Sequence, residues 1–252
     1  MTWSIVAREP GTGNLAIAVA TRFFAVGSIV PHIRGGIGAV ATQAFASPLY
    51  GIDGLAMLAS GHAPHEILET LSARDEGREQ RQFHLIDNKG NNAAFTGAKC
   101  IDWAGHLVDD NVSVAGNMLA GPQVIAKTLA TFKKTAGKPL AERLLEAMRA
   151  GEDAGGDKRG KQSAALVIHR DQDYAWLNIR VDDSADPLAE LERLYAVAQE
   201  RYLHVAETMP TRQNPSGMID RREIDEKIAA LEAKRMAEGQ PSASHATMAA
   251  PS

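Results

Sequence analysis

A chain of 252 residues, 44% hydrophobic and 23% charged with a formal net charge of -4, has the composition of a soluble globular protein with one sizeable core. The small negative charge excludes a nucleic-acid partner gripped mainly through its phosphates, and no uninterrupted apolar run is long enough to span a bilayer. The start of the chain lacks the basic and apolar regions of a secretory signal, and the one cysteine, Cys100, forbids an intrachain disulfide, so a reducing cytoplasm is the expected location.

Residues Trp3 to Arg8 alternate as a strand and meet the turn cluster Pro10 to Asn14; Leu15 to Ala20 reads as the return strand of a hairpin. Val26 to Ile33 and Ile37 to Ala44 are two further apolar stretches separated by Gly35-Gly36. Helical spacing predicts helices over Leu49 to Ser60 and Pro64 to Ala73, broken by Gly61-His62-Ala63-Pro64. Strand character returns at Gln82 to Ile86, turns at Asp87 to Gly90 and resumes through Ala93 to Thr96, with extended segments around Cys100 to Val108 and Val112 to Ala115. A second helical block covers Pro122 to Thr135 and Leu140 to Ala150. The Gly-rich loop Gly151 to Gly160 then leads into strands at Ala164 to His169 and Tyr174 to Val181, and an amphipathic helix runs from Pro187 to about Leu203. Helix pairs set between antiparallel hairpins predict a layered α+β protein rather than a βαβ alternation. The composition shifts after about Thr208, which predicts a domain over 1–207. Residues 208–252 follow it as a linker (Met209 to Gly217), a charged helix over Asp220 to Glu238 with a thin apolar stripe of Ile224, Ile228 and Leu231, and a disordered tail from Gln240.

The most informative position is Thr2. Initiator methionine is routinely trimmed before a residue as small as threonine, and the exposed residue then carries a hydroxyl nucleophile beside a free α-amine. That amine titrates at about 7.7–8.0 when unperturbed, so it can act as the hydroxyl's general base. The loop Gly155 to Ser163 nearly spells a phosphate-binding loop, but Gln162 separates Lys161 from Ser163 and the loop leads from helix to strand, the reverse of that motif. It is either a flexible connector or a functional loop in which Asp157, Arg159, Lys161 and Ser163 orient a catalytic group or hold a carboxylate. Arg22, Arg34 and Gln43 interrupt apolar early strands. Each is either a surface residue or part of a site, where an arginine near the terminal amine would depress its pKa. Asn117, between a strand and a helix, can donate to an oxyanion or cap the helix. Cys100 has no evident base beside it and reads as a small core residue. The histidines do not assemble into a metal site: His62 and His65 are separated by Pro64, while His84, His106 and His169 read as structural. The doublets Asp109-Asp110 and Asp182-Asp183 read as solvated turns.

Several segments occur together in order: Thr2 to Arg8, Arg22-Phe23-Phe24-Ala25-Val26-Gly27, Gly38 to Gln43, Ala94-Phe95-Thr96-Gly97, Trp103-Ala104-Gly105-His106, Gly116-Asn117-Met118-Leu119 and Gly155 to Ala165. Over roughly residues 2 to 200 the chain resembles the bacterial family called domain of unknown function 1028, which is grouped with the N-terminal nucleophile (Ntn) hydrolases. The resemblance implies a four-layer αββα sandwich, two antiparallel sheets between helical layers. It also implies a reaction class, hydrolysis of an amide bond of a small peptide-like or acyl-amino substrate through an acyl-enzyme on Thr2. By a looser analogy with proteasome β-subunits, Arg34 would sit near the superfamily's catalytic lysine, and Gly116-Asn117 and Asp157 to Ser163 near the nucleophile's amine; the acid that precedes Thr-Arg in those subunits is Ala20 here. The expected catalytic set is Thr2, Asn117, Gln43 and Asp157, with oxyanion donors near Thr42 and Gln43. Arg22, Arg34, Arg159 and Ser163 are expected to bind substrate. No metal or organic cofactor is expected, the partner is a small-molecule amide or peptide, and the protein is expected to be a homo-oligomer. The alternative is a catalytically inactive small-molecule binding protein on the same fold.

Overall fold

In the computed structural model, which describes residues 2–246, the chain divides into two compact units, Met1–Leu191 and Glu192–Ser252. The first unit carries two antiparallel sheets. One is six-stranded, in the order β10-β9-β2-β1-β8-β7, from β1 (Thr2–Arg8), β2 (Leu15–Thr21), β7 (Gly105–Asp109), β8 (Val112–Asn117), β9 (Ser163–His169) and β10 (Ala175–Val181). The other is four-stranded, in the order β3-β4-β5-β6, from β3 (Pro31–Arg34), β4 (Gly38–Ala44), β5 (Arg81–Asp87) and β6 (Asn92–Thr96). Helices α1 (Pro48–Ala59) and α2 (Pro64–Ala73) pack on the outer face of the smaller sheet, and α3 (Gln123–Lys134) and α4 (Leu140–Asp153) on that of the larger. The two sheets face each other, so the unit is an α+β protein with the four-layer αββα arrangement.

This layering explains why the central strands read as almost unbroken apolar runs: both of their faces are covered. On β1 the side chains alternate between two destinations. Trp3 turns to the helical layer, where its indole nitrogen comes within 2.9 Å of where a Cβ on Gly151 of α4 would sit. Ser4 and Val6 turn between the sheets, Val6 into an apolar cluster with Leu15, Ile17, Val19, Val26, Val30 and Ile86. Burying one such aliphatic side chain stabilises the fold by about 1.5–3 kcal/mol relative to exposing it. The alanines that alternate with them on β2, Ala16, Ala18 and Ala20, are fully buried and small enough to let α4 approach.

The helix pair α1–α2 has the expected break: Gly61 takes the left-handed backbone (φ 89°), its N–H closing on Leu58 O, and the Glu66 carboxylate accepts from Ala63 N at 2.9 Å to start α2. Other boundaries differ from expectation. Val26 to Ile33 is not one strand but a 3₁₀ turn, Val26–Ser28, followed by the short edge strand β3. Its valines are apolar because they fill the inter-sheet core, not because they alternate in a sheet, and Pro31 opens an edge strand where its missing N–H costs nothing. Within Cys100 to Val108 only Gly105 onward is strand. The preceding loop is fixed by Met118 N on Ile101 O and Leu119 N on Trp103 O, and Cys100 is half-buried against Arg81 O rather than in the core. Helix α4 continues through Asp153, taking in the start of the expected glycine-rich loop.

The helix α5 (Pro187–Val197) runs across the division between the units. In the second unit a π-helical turn (Ala198–Tyr202), α6 (Leu203–Ala206) and α7 (Arg222–Ala237) follow. The division between the two compact units falls after Leu191. In α7, Ile224 and Ile228 of the apolar stripe are buried while Leu231 is exposed. The expected disorder does not begin at Gln240: Ser242 Oγ and Ala243 N both donate to the Glu200 carboxylate, at 2.7 and 2.6 Å, and Arg193 donates to Ala243 O. Residues 247–252 of the expected tail, and Met1, lie outside the described residues. No helix of the described residues is long and apolar enough to cross a membrane.

Candidate active site

Thr2 stands at the start of β1, between Thr21 at the end of β2 and Asn117 at the end of β8, and is 6% exposed. Its hydroxyl donates to Thr21 Oγ1 at 3.3 Å, and its carbonyl accepts from Gln43 Nε2 and Asn117 Nδ2, each at 3.4 Å. Both amides are held in turn by one acceptor, Gln82 Oε1, at 2.8 Å from Gln43 and 3.0 Å from Asn117. Gln82 Nε2 donates to Thr96 Oγ1, Gly105 O and Gly116 O. Deeper along β1, Ser4 Oγ donates to Gln43 Oε1 at 2.6 Å and lies 2.8 Å from His84 Nε2, and His84 Nδ1 lies 2.9 Å from Ser113 Oγ. Burial holds the His84 imidazole down to about 3, so it is neutral and structural at working pH. The space between the sheets is therefore polar around Thr2, Ser4, Gln43, Gln82, His84 and Asn117 and apolar around Val6, Ile17, Val30 and Ile86, and Thr2 stands at the end of the polar part that lines a cavity.

There it meets a cavity of about 450 Å³. Thr2 and Gln43 are its polar lining; the walls are apolar, among them Val26, Ile29 and Val30, with Phe23 and Phe45 at the rim. A volume of this order suits a small organic ligand. Of the four non-glycine residues with positive φ among those described, three adjoin the site: Ala25 beside Val26, Ala44 after Gln43 and Met118 after Asn117. Backbone strain of this kind clusters where a surrounding structure fixes functional groups.

Asp157 and Ser163 build the cavity wall from behind. The buried Asp157 carboxylate accepts from Arg22 N at 2.8 Å and from Arg159 N at 2.9 Å, and pairs with the Arg159 guanidinium at 3.1 Å. Ser163 Oγ donates to Phe23 O at 2.5 Å and accepts from Val26 N at 3.1 Å. Together they clamp residues 22–26, which supply Phe23 and Val26 to the cavity. Ser163, fully buried, thus supports this wall instead of touching a ligand. Arg22 bonds Asp157 through its main-chain N–H and carries its side chain exposed, Arg159 pairs with Asp157 through its guanidinium, and neither lines the cavity. Arg34 does not come to the site at all. It pairs with Gly38 at the far end of the β3–β4 hairpin, half-exposed, in an ion pair with Asp173 at 3.3 Å, because the short β3 runs away from Gln43. The Thr42 amide, expected as an oxyanion donor, is already bound to Val30 O at 3.2 Å. Ala20 pairs with Trp3 and shares its helix-facing side, so an acid at that position would point away from Thr2.

Thr21, Gln82, Phe23 and Phe45 were not singled out from the sequence, although Gln82 carried a signal. In Gln82-Phe83-His84-Leu85-Ile86 the polar residues recur at spacing two inside an apolar strand, the mark of a buried polar face. Among the described residues no three His, Cys, Asp or Glu side chains converge to hold a metal ion.

Residues 2–191 match the model of a family of unknown function, DUF1028. A crystal structure of protein SPO2555 from Silicibacter pomeroyi, assigned to the same family, is 31% identical, with a TM-score of 0.81 over 87% of this chain and 96% of that one. Anbu, an ancestral β-subunit from Yersinia bercovieri, aligns at 12% identity and a TM-score of 0.39 over 83% of this chain and 98% of its own. No curated protein matches the sequence.

Proposed function

The chain belongs to the DUF1028 family, and we propose that it is an amidohydrolase of the Ntn type whose nucleophile is Thr2, exposed by removal of Met1. One observation carries this reading: Thr2, directly behind Met1, is clamped by two side-chain amides and opens onto an apolar cavity. A residue with no task would not require Gln43, Asn117 and Gln82 to be buried around its carbonyl, since each buried amide must find partners or cost about 1–3 kcal/mol.

The proposed reaction uses the chain's own terminus. The α-amine of Thr2 takes the proton from Oγ1 as Oγ1 bonds to the substrate carbonyl carbon. The ammonium then delivers that proton to the departing nitrogen as the C–N bond breaks, leaving an ester on Thr2. A water molecule, deprotonated by the same amine, attacks the ester and releases the acid. Gln43 and Asn117 act here as positioning residues: they fix the Thr2 carbonyl, hence the plane of the strand end from which amine and hydroxyl project. Thr21 orients the hydroxyl. The oxyanion falls to the main-chain amides of Ala44 and Ala46, which line the cavity, since those of Thr42 and Phe45 are already bound to Val30 O and Gln80 O.

The test is hydrolysis of a panel of simple acyl amides by the purified protein and by Thr2→Ala and Thr2→Ser. Turnover lost in Thr2→Ala and retained in part in Thr2→Ser supports the reading; turnover equal in wild type and Thr2→Ala ends it. A binding protein without catalysis is the second reading, favoured by the lack, among the described residues, of any charged side chain on the cavity wall. It predicts ligand binding with no product under any of these conditions.

A further inference from the structure

The cavity beside Thr2 carries a chemical specification of its own. Among the described residues no charged side chain lines it, and two of the three arginines expected to hold a substrate carboxylate are engaged elsewhere, Arg159 with Asp157 and Arg34 with Asp173, while the exposed Arg22 does not line it. A carboxylate buried along these walls would lose its hydration and meet no cationic side chain, which is costly. A hydrocarbon would lose only unfavourable contact with water.

The rim continues the same chemistry outward. Phe23 and Phe45 are 55% and 68% exposed although they border the cavity, and Phe24 and Leu49, next in sequence to the lining residues Phe23 and Pro48, are exposed as well. Large exposed apolar groups around a cavity mark a binding groove. Phe45 is held in place despite its exposure. Arg81 Nη1 donates to Phe45 O at 2.7 Å, its guanidinium carbon lies 5.4 Å from the Phe45 ring centroid, and the arginine itself is anchored by Asp75. A rim fixed before binding loses less freedom when a ligand arrives.

From this, and resting on Thr2 as the nucleophile, we infer that the acyl half of the substrate is an uncharged hydrocarbon, a medium-length fatty acyl or arylacyl group. Its carbonyl lies at Thr2 and its chain runs between Phe23 and Phe45, while the amine half leaves toward solvent. Attack by Thr2 Oγ1 forms the ester and breaks the C–N bond, the proton passing through the α-amine to the leaving nitrogen, and water then releases the carboxylic acid.

The experiment uses the full chain and p-nitroanilides bearing acetyl, butyryl, hexanoyl, phenylacetyl and succinyl groups, each run beside Thr2→Ala. The expected result is Thr2-dependent release of p-nitroaniline whose kcat/KM rises roughly three- to fourfold per methylene from acetyl to hexanoyl. Succinyl should fall at least about tenfold below butyryl, its uncharged counterpart in length, because its carboxylate finds no partner. Phe45→Ser should flatten the chain-length slope. Thr2-dependent turnover that is flat with chain length, or that favours succinyl, overturns the acyl assignment and leaves the nucleophile standing. Release that is equal in Thr2→Ala, or absent with every donor, overturns the nucleophile and the assignment with it.

Discussion

Two buried amides, from Gln43 and Asn117, share the Gln82 carbonyl oxygen and between them hold the Thr2 carbonyl. The consequence of losing Gln82 is therefore larger than that of one side chain. In Gln82→Met, of similar length, both donors lose their best acceptor, and Thr96, Gly105 and Gly116 lose a donor. We expect a stability loss of about 2–4 kcal/mol in urea denaturation, with kcat for any Thr2-dependent reaction falling more than KM rises; an unchanged midpoint would show that the network is not structural. At this scale the sequence was partly legible. Thr2 stood out because it follows Met1, Asn117 because it lies between a strand and a helix, and Gln43 because it is polar beside an otherwise apolar strand, and the fold gathers them within hydrogen-bonding reach of one another. Arg34 stood out as Gln43 did but lies at the opposite end of its hairpin. Pattern reveals that a polar residue is unusual; only register reveals which end of the sandwich it occupies.

At the scale of elements, β1 is a strand with two jobs. Its even residues build the site between the sheets, and Trp3 locks the strand to α4. A methyl group at Gly151 would stand 2.4 Å from Thr128 Oγ1 and 2.9 Å from Trp3 Nε1, closer than packed atoms tolerate. Alanine favours a helix over glycine by about 1 kcal/mol, yet overpacking costs about 1–3 kcal/mol, so Gly151→Ala should lower stability by about 1 kcal/mol, read from thermal or urea unfolding. A more stable variant would show that α4 and β1 are less tightly apposed than described. Elements were legible where local chemistry marks them: Pro48 and Pro64 at helix starts, Gly61 at a stop, turn clusters between hairpin strands. They were misread where tertiary burial imitates strand composition, as in Val26 to Ile33, and where a loop is pinned by main-chain bonds to a distant segment, as in Cys100 to Ala104.

Across the whole molecule, the mixed layer between the sheets sets the acid stability. Burial depresses the His84 imidazole to about 3 from an ordinary 6.5, with repulsion from His106 adding to it. Between those two values the unfolded chain binds a proton that the folded chain refuses. The stability this neutral imidazole leaves intact above pH 6.5 is therefore lost progressively as pH falls toward 3, on the order of 1 kcal/mol per pH unit. Burial lowers His32, His106 and His169 as well, which act in the same direction. His84→Gln, whatever its stability at neutral pH, should lose less on going from pH 7 to pH 5 than wild type does; equal slopes in denaturant midpoint against pH would remove His84 from the account. The layered α+β class was legible through the order of hairpins and helix pairs, and the αββα layering through family resemblance. Composition does not mark the division after Leu191, since it changes only later, in the linker after Thr208.

The most direct test is mass spectrometry of the intact full-length protein after brief incubation with hexanoyl p-nitroanilide and acid quench, followed by fragmentation from the N-terminus. The account predicts a chain that begins at Thr2 and carries one hexanoyl group on that residue, with no such adduct in Thr2→Ala. A chain that retains Met1, or an acyl group found on any other residue, would contradict it.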